Sequence, residues 1–186
     1  STDYVFDGPG HRPWREEDEP NPIGVYARSK RAGERAIAAA GPAHAIVRTS
    51  WLFAAHGQNF VRTMLRLGAE RDRLSIVHDQ VGCPTAAADL ASAIAGVAAA
   101  LAAGRITSGV YHYAGAGPVS WYEFAQAIFA AAAGLVPMPV LLPISTQTFG
   151  APAPRPAYSV LDCGRIERDL GIPAKPGSSG LRAVIE

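Results

Sequence analysis

Residues 25–53 read VYARSKRAGERAIAAAGPAHAIVRTSWLF. The run opens as a helix near Gly24 or Val25 and carries on through an alanine-rich stretch to Gly41. The next piece, AHAIVRTSWLF, reads as a strand with Ile46 and Val47 at its centre. A helix that passes directly into a strand predicts an α/β domain if the alternation continues on both sides.

It does continue. Upstream, STDYVFDG (residues 1–8) reads as a buried strand, TDYVF, closed by a DG turn. The loop PGHRPWREEDEPNP follows, rich in proline and charge. Downstream, QNFVRTMLRLGAE (58–70) places Phe60, Val61, Met64, Leu65 and Leu67 at helical spacing. RLSIVH is a strand, DQVGCPT (79–85) a loop, residues 86–103 an alanine-rich helix, and GVYHYAG (109–115) a strand. VSWYEFAQAIFAAAA is a helix opened by Ser120 with Glu123 three later, a capping-box pattern, and its Trp121, Tyr122 and Phe124 read as core packing. The remainder is proline-rich, through LLPIS and APAPRPAYSVLD, with short helices expected at GRIERDL and SGLRAVIE. It predicts an appended lobe that does not simply extend the sheet.

Composition narrows the function. The 186 residues are 48% apolar, enough for one core, with a formal charge of +1. Nothing draws such a chain to nucleic acid or to an anionic membrane, so an acidic ligand must be held by local groups. Residues 86–103 are interrupted by Asp89 and Ser92, which fits a buried helix and not a membrane span. Two distant cysteines, Cys83 and Cys163, suggest a reduced, cytoplasmic setting. His11, His44, His56, His78 and His112 share no ligand spacing, so no metal site is expected. A Mg2+ held by Glu16, Glu17 and Asp18 is conceivable, but a solvated loop is the simpler account.

Tyr26 and Lys30 stand out. The chain has two lysines, Lys30 and Lys175, and six tyrosines. Chance would give about 0.06 Tyr–Lys pairs at this spacing. On a helix the two side chains share a face. A phenol with a pKa of about 10 is a poor acid near neutrality, and an adjacent cation lowers that value. A tyrosine so tuned can give a proton to a carbonyl oxygen as hydride arrives. A lysine can also bond ribose hydroxyls. Most such pairs are merely one face of an amphipathic helix. Thr2, near the end of its strand, could bond the same carbonyl oxygen or could be an ordinary strand residue.

Together, STDYVFDG and a YxxxK helix followed by GE resemble the extended short-chain dehydrogenase/reductase superfamily, and within it the dTDP-4-dehydrorhamnose reductase family. IVRTSWLF, QNFVRTML, DQVGCPT, GVYHYAG, SWYEFAQAIF and RPAYSVLD agree in order, so the resemblance covers nearly the whole chain. YxxxK belongs to the superfamily at large; STDYVFDG, RTSW and DQxGxPT are specific to the branch.

The resemblance implies a Rossmann-like NAD(P)-binding fold with a smaller substrate-binding α/β lobe, and reduction of the 4-keto group of dTDP-4-dehydro-L-rhamnose by NADPH or NADH. Carried onto this sequence, Tyr26 would be the proton donor, Lys30 would tune it and hold the nicotinamide ribose, and Thr2 would polarise the carbonyl. Asp3 and Tyr4 would border the sugar, as would Trp51. Asn59 would contact the nucleotide-sugar, and Arg155 would meet the diphosphate, where a guanidinium bonds phosphate oxygens in pairs.

Two departures stand against the family pattern. Ala27 replaces a glycine, a mild change in a helix. More serious, no GxxGxxG turn for the dinucleotide diphosphate is found; GAGPVS (115–120) lacks the third glycine and inserts a proline, so it reads as the loop before the helix at Ser120. The expectation is therefore a C-terminal part: residues 1–55 a remnant of the Rossmann-like domain with the catalytic helix, and 56–186 mainly substrate lobe with interleaved Rossmann elements. Such a chain would bind NADPH poorly and could cover its open edge as a homodimer. Competing readings are a non-catalytic sugar-nucleotide-binding or regulatory module, and a sister epimerase or dehydratase. A dehydratase would want an acidic pair beside its hydroxyl, which Asp3 alone does not supply.

Overall fold

The computed structural model describes residues 1–41 and 43–185. A 3-10 turn at Asp3–Val5 precedes α1 (Val25–Ala39), β1 (Ala45–Arg48), β2 (Leu52–Phe53), α2 (Phe60–Glu70) and β3 (Arg73–Val77). Then come β4 (Val81–Gly82), β5 (Thr85–Ala86), α3 (Ala87–Ala102), β6 (Gly109–His112), β7 (Val119–Ser120) and α4 (Trp121–Ala131). β8 (Val140–Ile144), α5 (Thr146–Phe149), α6 (Gly164–Leu170) and α7 (Leu181–Ile185) complete the order.

β1 pairs in parallel with β6, with Ile46 opposite Val110; β2 pairs in parallel with β5, and β3 with β8. β4 and β7 pair antiparallel. Parallel pairs joined through helices are the α/β arrangement the alternation predicts. α4 opens on the expected capping box, in which Ser120 Oγ accepts from Glu123 N and the Glu123 carboxylate accepts from Ser120 N.

One core lies where α2 and α4 meet β3, built on Val61, Met64, Leu74, Phe124, Ile128 and Phe129. A second joins the chain's start to its late segment: Val5 and Phe6 pack with Val160 and Leu161, and Trp14 stacks on Phe6 at 4.7 Å. The third sits between α3, β6 and α6, around Val97, Tyr111 and Ile166.

Four local expectations are corrected. TDYVF is not a strand. Thr2 makes a single parallel bridge to Thr49, and then the chain turns into the 3-10 segment, with Thr2 Oγ1 accepting from Tyr4 N at 3.3 Å. A hydroxyl that satisfies a nearby backbone amide competes with the ladder. DQVGCPT is not all loop, since it holds β4 and the first residue of β5. LLPI, residues 141–144, lies within β8; Pro143 is tolerated because β8 pairs with β3 on one side only among the described residues. The run 43–53 is also two strands, parted by Trp51, whose φ of 42° ends β-structure there.

Candidate active site

α1 carries Tyr26 and Lys30 but buries only Ala27 and Glu34. A helix with so little apolar contact needs another anchor, and Glu34 supplies it. Its carboxylate receives Arg48 Nε and a terminal guanidinium nitrogen, each at 2.8 Å, and Arg31 at 2.9 Å. Arg48 is 1% exposed and also lies over the Phe6 ring at 5.3 Å. Tyr26, Lys30 and Glu34 fall at i, i+4 and i+8, so the pairing fixes the stripe that presents the tyrosine. Tyr26 is 56% exposed, and Lys30 Nζ sits 5.6 Å from its ring centroid.

Segment 154–157 crosses the front of this helix. A Cβ at Gly24 would meet Pro154 O at 3.5 Å, and one at Gly8 would meet the Pro156 side chain at 2.6 Å. Gly8 has φ +87°, so the DG turn needs glycine twice over, for conformation and for space. The crossing delivers Arg155 to Tyr4. Burial pushes the Tyr4 phenol up to about 12, the Asp3 charge adds to this, and the Arg155 guanidinium opposes it; Tyr26 acts on the same phenol. Tyr4 thus lies near both Tyr26 and Arg155.

Arg155 also lines a cavity of about 630 Å3 whose walls include Phe60, Met64, Trp121 and Phe149. Three arginines, Arg71, Arg73 and Arg155, face it, with no carboxylate among its lining residues. Such a site suits an anion attached to a flat or apolar group.

The other expected residues are placed less uniformly. Thr2 is 6% exposed, beside the α1 face through its turn. Asp3 is 2% exposed, so its carboxylate lies behind Thr2 and not on a surface. Trp51 stacks on Trp121 at 3.5 Å with 5° between planes, its Nε1 buried without a hydrogen-bond partner. Asn59 caps α2: its oxygen accepts from Arg62 N, and its nitrogen donates to Ala54 O at 2.8 Å. Its amide is therefore engaged with its own loop. In the 115–120 loop, Gly115 N donates to Thr85 Oγ1 at 3.0 Å, so this amide is not offered to a phosphate.

Trp121, read from sequence as core packing, is a cavity wall. Gln80 is another; it accepts from Trp121 Nε1 at 3.3 Å and donates to Thr146 Oγ1 at 2.9 Å. Asp79 turns away to receive Thr146 N. Of the carboxylates at 16–18, Glu16 accepts from His112 N, and Asp18 pairs with Arg12 at 2.7 Å. Burial pushes the Cys83 thiol up to about 12, far from a reactive thiolate.

The sequence profile of the RmlD substrate binding domain matches residues 1–186. The chain belongs to this family. It is 46% identical over 181 residues to a dTDP-4-dehydrorhamnose reductase of Burkholderia thailandensis, covering 92% of this chain and 61% of that protein. It is 43% identical to the reductase of Sinorhizobium fredii, covering 92% and 59%. Among solved structures, dTDP-4-dehydrorhamnose reductase of Bacillus anthracis in complex with NADP superposes with a TM-score of 0.89 at 41% identity, over 99% of this chain and 63% of that one. The Clostridium acetobutylicum orthologue gives 0.90 at 40% identity, over 100% and 63%. This RmlD-family chain thus has a Rossmann-like α/β fold and spans about three fifths of the length of these relatives. No described helix is long and apolar enough to cross a membrane.

Proposed function

We propose that the RmlD-family chain is the substrate-binding part, with the catalytic helix, of an NAD(P)H-dependent reductase that converts dTDP-4-dehydro-L-rhamnose to dTDP-L-rhamnose for cell-surface polysaccharide. The observation that carries this reading is the continuity from the three-arginine cavity, through Arg155 and Tyr4, to Tyr26 and Lys30. The dTDP moiety fits the cavity, with its base against Trp121 or Phe60 and its diphosphate on Arg155. The sugar then lies toward Tyr26, bordered by Tyr4 and Trp51.

Tyr26 gives its proton to the C4 oxygen as the carbonyl is reduced. Lys30, on the same helical face, favours the phenolate left behind and is free to bond the nicotinamide ribose. Thr2 polarises the carbonyl. Asn59 shapes the loop before α2 and so acts on the sugar-nucleotide indirectly. The nicotinamide, when bound, supplies the hydride. Residues 1–55 would then form the Rossmann-side unit and 56–186 mainly the substrate lobe, interleaved through the β1–β6 pairing. Free Cys83 and Cys163 fit a cytoplasmic site of action.

Calorimetric titration with dTDP and with dTDP-L-rhamnose tests the reading. Binding of both is expected, weakened for both in Arg155→Leu. A chain that binds neither overturns the assignment.

A further inference from the structure

Among the described residues, Asp3 is a buried carboxylate that receives hydroxyls and no cation. Thr2 Oγ1 donates to its Oδ1 at 3.0 Å, and Ser50 Oγ donates to its Oδ2 at 2.9 Å. The Ser159 hydroxyl faces it as well. Ser50 Oγ in turn accepts from Cys83 N at 3.4 Å, and Thr2 Oγ1 accepts from Tyr4 N at 3.3 Å.

A hydroxyl has one proton to donate. While Thr2 gives its proton to an ionised Asp3, it has none for a substrate oxygen. A protonated Asp3 reverses the bond: the carboxyl O–H donates to Thr2 Oγ1, and the threonine proton is released toward the site. We infer that Asp3 is a positioning residue whose protonation state decides whether Thr2 can donate a hydrogen bond to the substrate carbonyl. Asp3 itself exchanges no proton with substrate. The inference rests on the reductase reading above.

Burial pushes the Asp3 carboxyl up to about 6, against the opposing hydrogen bonds of Ser159, Ser50 and Thr2. The titratable groups that feel its charge are Tyr4, on its own turn, and Cys83, from the segment between β4 and β5. Burial pushes both up to about 12, so both stay neutral while Asp3 titrates. Ser50 and Ser159 do not ionise in this range. The proton exchange therefore belongs to Asp3.

Two measurements test this. In the polypeptide that reduces the 4-keto sugar, kcat is expected to fall about tenfold as pH rises from about 5 to about 8. Asp3→Asn presents an N–H to Thr2 and an oxygen to Ser50, as the protonated acid does, and is expected to abolish that falling limb. Asp3→Ala is expected to lower kcat at every pH, with Asn restoring it. An Asn variant that keeps the wild-type limb overturns the inference. In parallel, NMR of this chain follows the Asp3 carboxyl carbon and the Tyr4 amide proton, which bonds Thr2 Oγ1. The two are expected to share a midpoint, and Asp3→Asn to remove the Tyr4 shift. A Tyr4 amide indifferent to the Asp3 titration also overturns the inference. Coupled titration in a protein that reduces no 4-keto sugar supports the Asp3–Thr2 switch and sinks the reductase reading alone.

Discussion

Glu34 and Arg48 form a bidentate pair, both bonds 2.8 Å, with both side chains 2% exposed. One partner belongs to α1 and the other to β1, so the pair ties the helix bearing Tyr26 to the strand. Removing one member leaves the other charge buried and alone, which costs about 3–5 kcal/mol. Glu34→Gln is therefore expected to lower the denaturant midpoint far more than a change at the exposed Arg66–Glu70 pair. Double-mutant cycles on Glu34 and Arg48 measure the coupling.

The same pair sets a pH dependence. Burial alone would raise the Glu34 carboxyl, but the bonds and charge of Arg48, with Arg31, win and hold it at about 2. An acid depressed on folding stabilises the fold above its unfolded value of about 4.5, and that stability is lost as pH falls toward 2. Asp3 has the opposite sign: raised to about 6, its contribution is present below about 4 and lost as pH rises through 6. Thermal melts from about pH 3 to about pH 8 are expected to show both effects. Glu34→Gln should flatten the acid side and Asp3→Asn the side near pH 6.

Gly82 is a steric requirement. A Cβ there would run into the Trp51 indole, which is itself clamped on its other side by Trp121. Gly82→Ala is expected to cost about 1–3 kcal/mol through overpacking. It should also weaken dTDP-sugar binding, since Trp121 is a cavity wall. A crystal structure of the variant with the Trp51–Trp121 stack undisturbed would contradict this.

How much of this was legible depended on whether neighbours or distant partners decide a residue's place. Tyr26 and Lys30 were readable because helical spacing alone puts them on one face. The α4 cap was readable because Ser120 and Glu123 answer each other within one turn. Trp51 was not, because the partners its indole meets, Gly82 and Trp121, lie far away in sequence. Trp121 looked like core for the same reason: apolar spacing identifies a buried face but not the cavity beside it. TDYVF misled because its apolar residues, Val5 and Phe6, are indeed buried, yet on a turn that Thr2 caps. Nothing local distinguished an exposed Asp3 from a buried one, since Ser50 and Ser159 enter from other parts of the chain.

Tyr26 and Lys30 separate chemistry from binding. Tyr26→Phe removes the phenolic proton and little else, so kcat of the reducing polypeptide is expected to fall about 10²–10⁴-fold. Affinity for dTDP should stay unchanged if, as proposed, the base and diphosphate rest on the cavity and Arg155. Lys30→Met should lower kcat as well, since the ammonium on the same helical face is lost. Equal losses of dTDP affinity and kcat in either variant would place these residues in binding instead.

Arg155 is the reverse case. It rims the cavity and reaches Tyr4, so its removal should act first on the anionic part of the ligand. A charge-assisted hydrogen bond contributes about 1.5–3 kcal/mol, and Arg155→Leu is expected to weaken dTDP binding about 10–150-fold. Arg71 and Arg73 line the same cavity, and single substitutions there test how the anion is shared. If Arg155 carries the diphosphate, Arg155→Lys recovers only part of the loss, because a point charge cannot reproduce the paired bonds of a guanidinium. Full recovery by lysine would mean that Arg155 supplies charge alone, and that the diphosphate is oriented by Arg71 or Arg73.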